Sequence, residues 1–317
     1  MAHPTAWSNH MPSPTPCTTT TNTQSYTSSI GPGPTGVNET PHFSYDELWD
    51  IHNNFLKAFT YPNNVEQAKT INSTLLAPNV IGRVDVTRVF LGQELNTEYL
   101  FGLFTGNTLN AGAATLLGIP LEYNVIHFAA TDYVVSSATV HNFNFSSIIL
   151  PVEIVGFFTY DSNKQISQYD VTFRRFDQIV DILVANVAQQ IHVNTSAQAV
   201  SFLTNALAST ICNTEVQYCN GSNQQYSDFQ SCFAFLTQDI RFGTAYELGR
   251  NTLLCRNIHQ YMVPLRPSTH CPHIGPSGGG YCSDDQTYPQ IVQQPLFTNA
   301  PFVPEGKQNA NATIAAW

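Results

Sequence analysis

The sequence predicts an α+β protein, and three observations carry that prediction. Helical patterns lead and strand patterns follow between residues 44 and 176, which is the order of an α+β domain and not of a βαβ repeat. After residue 176 the pattern turns helical again. Six of the seven cysteines then fall between Cys212 and Cys282, whereas the 194 residues from Thr18 to Ile211 contain none. A cysteine-free part must hold itself together by packing. The later part reads as stapled, since paired cysteines persist in oxidising compartments.

Taken in order, residues 1–41 are rich in Pro, Ser, Thr, Asn and Gly and are expected to form a disordered tail. Cys17 sits in it, either paired with the later cluster, paired between chains, or free. Order begins at Ser44, where Ser44 and Glu47 make a capping-box pattern ahead of Leu48, Ile51, Phe55, Leu56 and Phe59 at helical spacing. Pro62 ends that helix, and a second is expected from Val65 to Leu76, closed by Pro78. Val80–Leu91 reads as one strand, and a third helix starts at Gly92-Gln93-Glu94-Leu95. Long β-branched and aromatic strands follow at Leu121–Ala130, Tyr133–Phe145, Val152–Tyr160 and Gln165–Phe176. The Asp161-Ser162-Asn163-Lys164 turn makes the last two an antiparallel hairpin.

Beyond Phe176, helices are expected at Asp177–His192, Ser196–Ile211, Asp228–Asp239 and Thr244–Met262, the last with Glu247 completing a capping box. Pro264, Pro267 and Pro272 then argue against regular structure, and Gly278-Gly279-Gly280 reads as a turn. The apolar faces of these helices are too few for a separate core, so this part is expected to pack on the first.

Residues 44–176 resemble the NTF2-like superfamily, in particular its SnoaL-like branch. The resemblance lies in Leu76-Ala77-Pro78-Asn79-Val80 through Gly92-Gln93-Glu94-Leu95, and in Gly156-Phe157-Phe158-Thr159-Tyr160-Asp161 through Lys164-Gln165-Ile166-Ser167-Gln168-Tyr169-Asp170. It implies a cone of helices on a curved antiparallel sheet enclosing an apolar pocket, and a homodimer through the sheet. The stretch Cys255–Cys282 is similar to extensions of unassigned fungal secreted proteins. The expected organisation is a tail at 1–41, an NTF2-like domain at 42–176, a helical cysteine-rich extension at 177–290, and an irregular tail at 291–317.

Composition sets the address. Charged residues are 11% of the chain, against roughly 25% in an average soluble protein. Net charge is −10 with only 12 Lys plus Arg, which disfavours nucleic acid and anionic membranes as partners. No run reaches the length of a membrane span. Asn-x-Ser/Thr sequons stand at Asn38, Asn72, Asn144, Asn194, Asn220 and Asn311. Together with the cysteines they predict a secreted, extracellular glycoprotein whose signal peptide has been replaced by a start Met.

Three chemistries compete. The first is a secreted binding or structural protein whose cone holds an apolar small molecule or is simply filled. The second is a metal-independent lyase, isomerase or cyclase with a carboxylate or histidine base in the cone, the use to which enzymes resembling this domain put such groups. Asp170, His127, His52 and Tyr133 are the candidates for it, with Asp85, Asp132 and Tyr45 behind them. Strand alternation turns Asp170 away from the helices and puts Tyr169, Val171 and Phe173 toward them. The third is a zinc or copper site at His259, His270 and His273, although Pro272 is expected to hold the last two in extended chain. Otherwise no cofactor is expected. Cys212, Cys219, Cys232, Cys255, Cys271 and Cys282 are expected to form three disulfides, with Cys271–Cys282 favoured because it closes a short Gly-rich loop. No Cys-x-x-Cys, Gly-x-Ser-x-Gly, His-Glu-x-x-His or phosphate-loop motif occurs.

Overall fold

Ser44 starts the ordered chain as the sequence requires. Its hydroxyl accepts from the Glu47 N–H at 3.2 Å and the Glu47 carboxylate accepts from the Ser44 N–H at 3.0 Å, so two orphan donors of the first helical turn are satisfied. Helix α1 (Tyr45–Phe59) buries Leu48, His52, Phe55, Leu56 and Phe59 on one face. Helix α2 (Asn63–Thr70) follows the turn at Pro62. This computed structural model describes residues 41–105, 117–145 and 148–292, all within one compact unit. The two tails, with Cys17, Asn38 and Asn311, lie outside the described residues.

Six strands form one sheet in the order β2-β1-β6-β5-β4-β3. They are β1 (Leu76–Val84), β2 (Val89–Leu91), β3 (Ile119–Thr131), β4 (Val134–Asn144), β5 (Ile149–Tyr160) and β6 (Ile166–Phe173). Neighbours are antiparallel except β1 and β6, which run parallel. Helix α3 (Gln93–Leu100) follows β2. The expected single strand Val80–Leu91 is in fact two, because the chain turns tightly where the Thr87 N–H reaches the Val84 carbonyl at 3.0 Å. The second expected helix stops at Thr70, and Leu76 opens a strand instead. Pro78, which lacks an N–H, sits where the pairing of β1 with β6 shifts register. Gly82 is required in β1, since a Cβ there would stand 2.0 Å from the Tyr169 ring of the neighbouring strand.

Helices α4 (Phe176–Gln190), α5 (Ser196–Tyr218), α6 (Phe229–Ala234), α7 (Leu253–His259), α8 (Pro267–Ile274) and α9 (Tyr288–Val292) make the extension. The expected helix at Thr244–Met262 is shorter. Glu247 does accept from the Thr244 N–H at 3.0 Å, but the Leu248 N–H is drawn to the Val86 carbonyl at 3.1 Å. Gly249 packs so closely that a Cβ would meet the Thr87 carbonyl oxygen at 2.6 Å. These contacts with the β1–β2 turn override the local pattern, and Thr252 caps α7 instead. The prolines do not forbid a helix either. Pro267 occupies the first turn of α8, where its missing N–H costs nothing.

The disulfides are Cys212–Cys232, Cys219–Cys271 and Cys255–Cys282, with Cα atoms 5.7–5.8 Å apart. The expected Cys271–Cys282 pair is not formed. Cys271 lies within α8 and is bonded to the residue that caps the end of α5, Cys219. The glycine turn at 278–280, all three at positive φ, delivers Cys282 to α7. One hydrophobic core runs through sheet and extension, from Leu48 and Phe143 to Leu207, Leu236 and Met262. No helix among the described residues is long and apolar enough to cross a membrane.

Candidate functional site

Alternation along β4 builds one wall of a cavity. Ser137, Thr139, His141, Phe143 and Phe145 project to the same side, and β5 answers with Val152, Ile154, Gly156 and Phe158. Phe55 and Phe59 of α1 close it above. Leu248 and Ile258 of the extension also line it, so a segment far away in sequence contributes to the cone's interior. The cavity volume open to the centre of a water-sized sphere is about 80 Å³, room for several waters or one small planar molecule.

Of the polar groups on this wall, two stand out. Thr139 Oγ1 and His141 Nδ1 are fully buried and have no hydrogen-bond partner. Leaving such an atom unpaired costs about 1–3 kcal/mol, so each needs a reason. They sit two residues apart on one strand and both face the same cavity. His141 packs edge-on to Phe59 with centroids 5.2 Å apart, and burial pushes its pKa down to about 3. It is therefore a neutral imidazole at ordinary pH, with Nδ1 left without a partner beside the cavity.

The candidate bases do not converge there. His52 lies on α1 with Tyr160 Oη 2.9 Å from Nδ1 and Ser137 Oγ 2.9 Å from Nε2, so both nitrogens are engaged. Burial, reinforced by His141, holds its pKa at about 3. Asp170 turns away from the cavity, as alternation requires, and forms a two-armed ion pair with Arg83 of β1. His127 is exposed on β3. Tyr133 lies between β3 and β4, where its carbonyl accepts from the Tyr160 N–H at 2.9 Å. Asp132 faces an exposed His42, and Tyr45 donates to the Phe128 carbonyl. Asp85 accepts from the Phe173 N–H at 3.1 Å, and burial raises its pKa to about 6.

A second polar cluster lies behind the cavity wall. Helix α7 supplies His259, and α8 supplies His270 and His273. Because α8 is helical, the last two share a face at i and i+3, which the extended chain expected from Pro272 would not give. The ring nitrogens of all three lie within 4.8 Å of one another, and each residue is at most 4% exposed. His270 Nε2 is 2.8 Å from Glu98 Oε2. Arg266 grips the same carboxylate at 2.6 Å with two nitrogens and also pairs with Glu94. Burial pushes Glu98 up to about 8, and the guanidinium fork opposes that. Tyr99 links the two places: its ring lines the cavity and its hydroxyl is 3.1 Å from His259 Nδ1. Arg256 is fully buried without a carboxylate at hand. It holds the carbonyls of Gly275, Thr252 and Pro276 at 3.1–3.2 Å and so ties the glycine turn to α7.

Thr139, His141, Glu98 and Tyr99 were not singled out by the sequence. The signal for the first two was a Ser-x-Thr-x-His alternation continuing into Phe143 and Phe145, polar groups on the apolar face of a strand. The signal for Glu98 was its spacing four residues after Glu94 on α3.

The class defined by fold and site is an α+β cone with an apolar cavity, sealed and clasped by a disulfide-bonded helical extension. Within that class, the chain belongs to the BfoA family. The model of the BfoA N-terminal domain matches residues 53–171 and that of the BfoA family C-terminal domain matches residues 174–285. The chain is 48% identical over 268 residues to the bifonsecin B biosynthesis cluster protein A of Aspergillus brasiliensis, covering 84% of this chain and 89% of that one. It is also 48% identical over 263 residues to the aurasperone B biosynthesis cluster protein A of Aspergillus niger, covering 82% and 85%. Similar solved structures include an LEH-like epoxide hydrolase of M. tuberculosis (15% identity, 46% of this chain and 96% of that one, TM-score 0.34). Another is a putative SnoaL-like polyketide cyclase of Jannaschia sp. CCS1 (12%, 47% and 96%, TM-score 0.33). At these scores no activity is carried across.

Proposed function

We propose that the protein binds a small aromatic molecule bearing a hydroxyl or carbonyl group in the cone cavity, and serves small-molecule biosynthesis outside the reducing cytosol. The observation that carries this reading is the pair of buried, unpartnered polar atoms, Thr139 Oγ1 and His141 Nδ1, on a mostly apolar wall. A ligand oxygen between them would satisfy both. The relatives' names, which place them in clusters for bifonsecin B and aurasperone B biosynthesis, support a small molecule as the partner.

Binding is favoured over proton abstraction by magnitude. A base works best with a pKa near the operating pH, and an imidazole held at about 3 is several units too weak. His52 is equally depressed and already engaged at both nitrogens. The lyase or isomerase reading therefore lacks a competent base among the described residues of the cavity wall.

Three disulfides support an oxidising location. The sequon residues Asn72, Asn194 and Asn220 are exposed and open to glycosylation, whereas Asn144 is half-buried in β4. A homodimer has apolar surface to use in Phe157 and Ile149, which lie at outward positions of β5.

The test is a fluorescence titration with p-cresol and 2-naphthol. Thr139→Val and His141→Phe should each weaken binding roughly five- to tenfold, the worth of about 1 kcal/mol per hydrogen bond. Because Thr139→Val removes an orphan without changing shape, the free protein should be no less stable than wild type. Failure of both probes to bind at millimolar concentration, or equal binding by both variants, would overturn the reading.

A further inference from the structure

We propose that His259, His270 and His273 bind one divalent ion of the zinc or copper kind, in a site independent of what the cavity holds.

The argument begins with proton positions. Glu98 accepts at 2.8 Å from His270, which fixes the proton on Nε2 and leaves a bare lone pair on Nδ1. That Nδ1 is 3.2 Å from His273 Nδ1, which is in turn 3.1 Å from His259 Nδ1. One Nδ1–H on His273 can serve only one of these neighbours, and the Tyr99 hydroxyl, 3.1 Å from His259 Nδ1, is the donor left for the other. A divalent cation would instead take all three lone pairs at once. The spacing fits: nitrogens about 2.05 Å from a tetrahedral zinc stand roughly 3.3 Å apart.

The surroundings match what such a site needs. The Glu98–His270 contact is the carboxylate–histidine support that orients a ligand imidazole and raises its basicity. Glu94 and Glu98 both pair with Arg266 beside the cluster, so the carboxylate that supports His270 is itself held in place. Gly279 stands against His273, where a Cβ would approach Cδ2 to 2.5 Å, so the glycine turn closes over that ring. Three neutral nitrogens suit zinc or copper and not magnesium or calcium, which prefer oxygen. Three protein ligands also leave a fourth position, and the Tyr99 hydroxyl lies on that neighbourhood's cavity side.

Two nearby groups of potential ligands do not compete. Cys255 and Cys282 lie within 4.8 Å of a His259 nitrogen, and Cys219 and Cys271 within the same distance of Glu215. Both cysteine pairs are disulfides and offer no thiolate.

The experiment uses the full-length, disulfide-intact protein, stripped with EDTA and dialysed separately against zinc, copper or magnesium chloride. Bound metal is measured by mass spectrometry and stability by thermal unfolding. The expected result is about one zinc or copper per chain, with no magnesium retained. The unfolding midpoint should rise by roughly 5 °C or more at a hundredfold excess over Kd and fall again with EDTA. Glu98→Gln should weaken metal binding about 10- to 100-fold. The double variant His270→Gln/His273→Gln should abolish it. Three results would overturn the site: less than a tenth of an ion retained with an unmoved midpoint in wild type, undiminished uptake by the folded double variant, or uptake only after reduction, which would assign the metal to cysteine thiolates.

Discussion

His52 and His141 are neutral histidines buried within one packed neighbourhood, and their environments give them opposite roles. His52 is saturated by Tyr160 and Ser137, so it is a structural link between α1 and the sheet. His141 keeps one buried nitrogen without a partner. Helical spacing made His52 legible as an inward residue, but its partners, more than 80 positions away, were not. For His141 the sequence carries only a period-2 alternation, which marks a strand face without saying which polar side chain stays unpartnered. Both have pKa values lowered to about 3, from 6.5 in an unfolded chain. The unfolded state then binds protons that the fold refuses. Their contribution is fully present above pH 6.5 and is lost as pH falls toward 3, by up to roughly 1.4 kcal/mol per pH unit for each. Asp85, raised to about 6, acts in the opposite sense between pH 6 and 4 and offsets about one histidine. Denaturant unfolding at pH 7.5, 6, 5 and 4.5 should therefore show stability falling with pH, and His141→Phe should reduce the slope by about 1.4 kcal/mol per unit. An unchanged slope in that variant would refute the assignment.

At the scale of elements, periodicity and turn chemistry revealed α1, α3, the four long strands, α4 and α5. It failed where tertiary contact overrode local preference. The capping atoms of Thr244 and Glu247 engage as the pattern predicts, yet the chain bends away to meet the β1–β2 turn. Pro267 looked like a breaker and is a helix start. The three histidines were legible as a possible site, but the helical spacing that puts His270 and His273 on one face of α8 was not. Disulfide pairing lay beyond the sequence for a related reason: which cysteines meet depends on helix directions. Cys219–Cys271 spans 52 residues, against 27 for Cys255–Cys282 and 20 for Cys212–Cys232. On a loop-entropy basis its loss should cost most, about 4 kcal/mol, against about 3.5 and about 3.3 kcal/mol for the others. The double variant Cys219→Ala/Cys271→Ala, unfolded in guanidinium beside the other two pairs, checks that order. It should also loosen α8 and, with it, His270 and His273. A smaller loss for this pair than for Cys212–Cys232 would contradict it.

Over the whole molecule, one core serves both the cone and its extension. Leu248 and Ile258 line the same cavity as Phe55 and Phe143, so the extension is part of the cavity wall and not an appendage. That fusion was legible in outline, since the extension's helices had apolar faces and too little to bury them on. The placement of its residues was not, because contacts such as Leu248 with Val86 join positions about half the chain apart. The chamber's purpose can be read most directly by native mass spectrometry of protein purified from its own source, before and after denaturation and with added 2-naphthol. The account predicts a small organic mass carried by the native chain and released on unfolding, or uptake of one 2-naphthol where the chamber arrives empty. A native chain that carries no organic mass and takes up no 2-naphthol would contradict it.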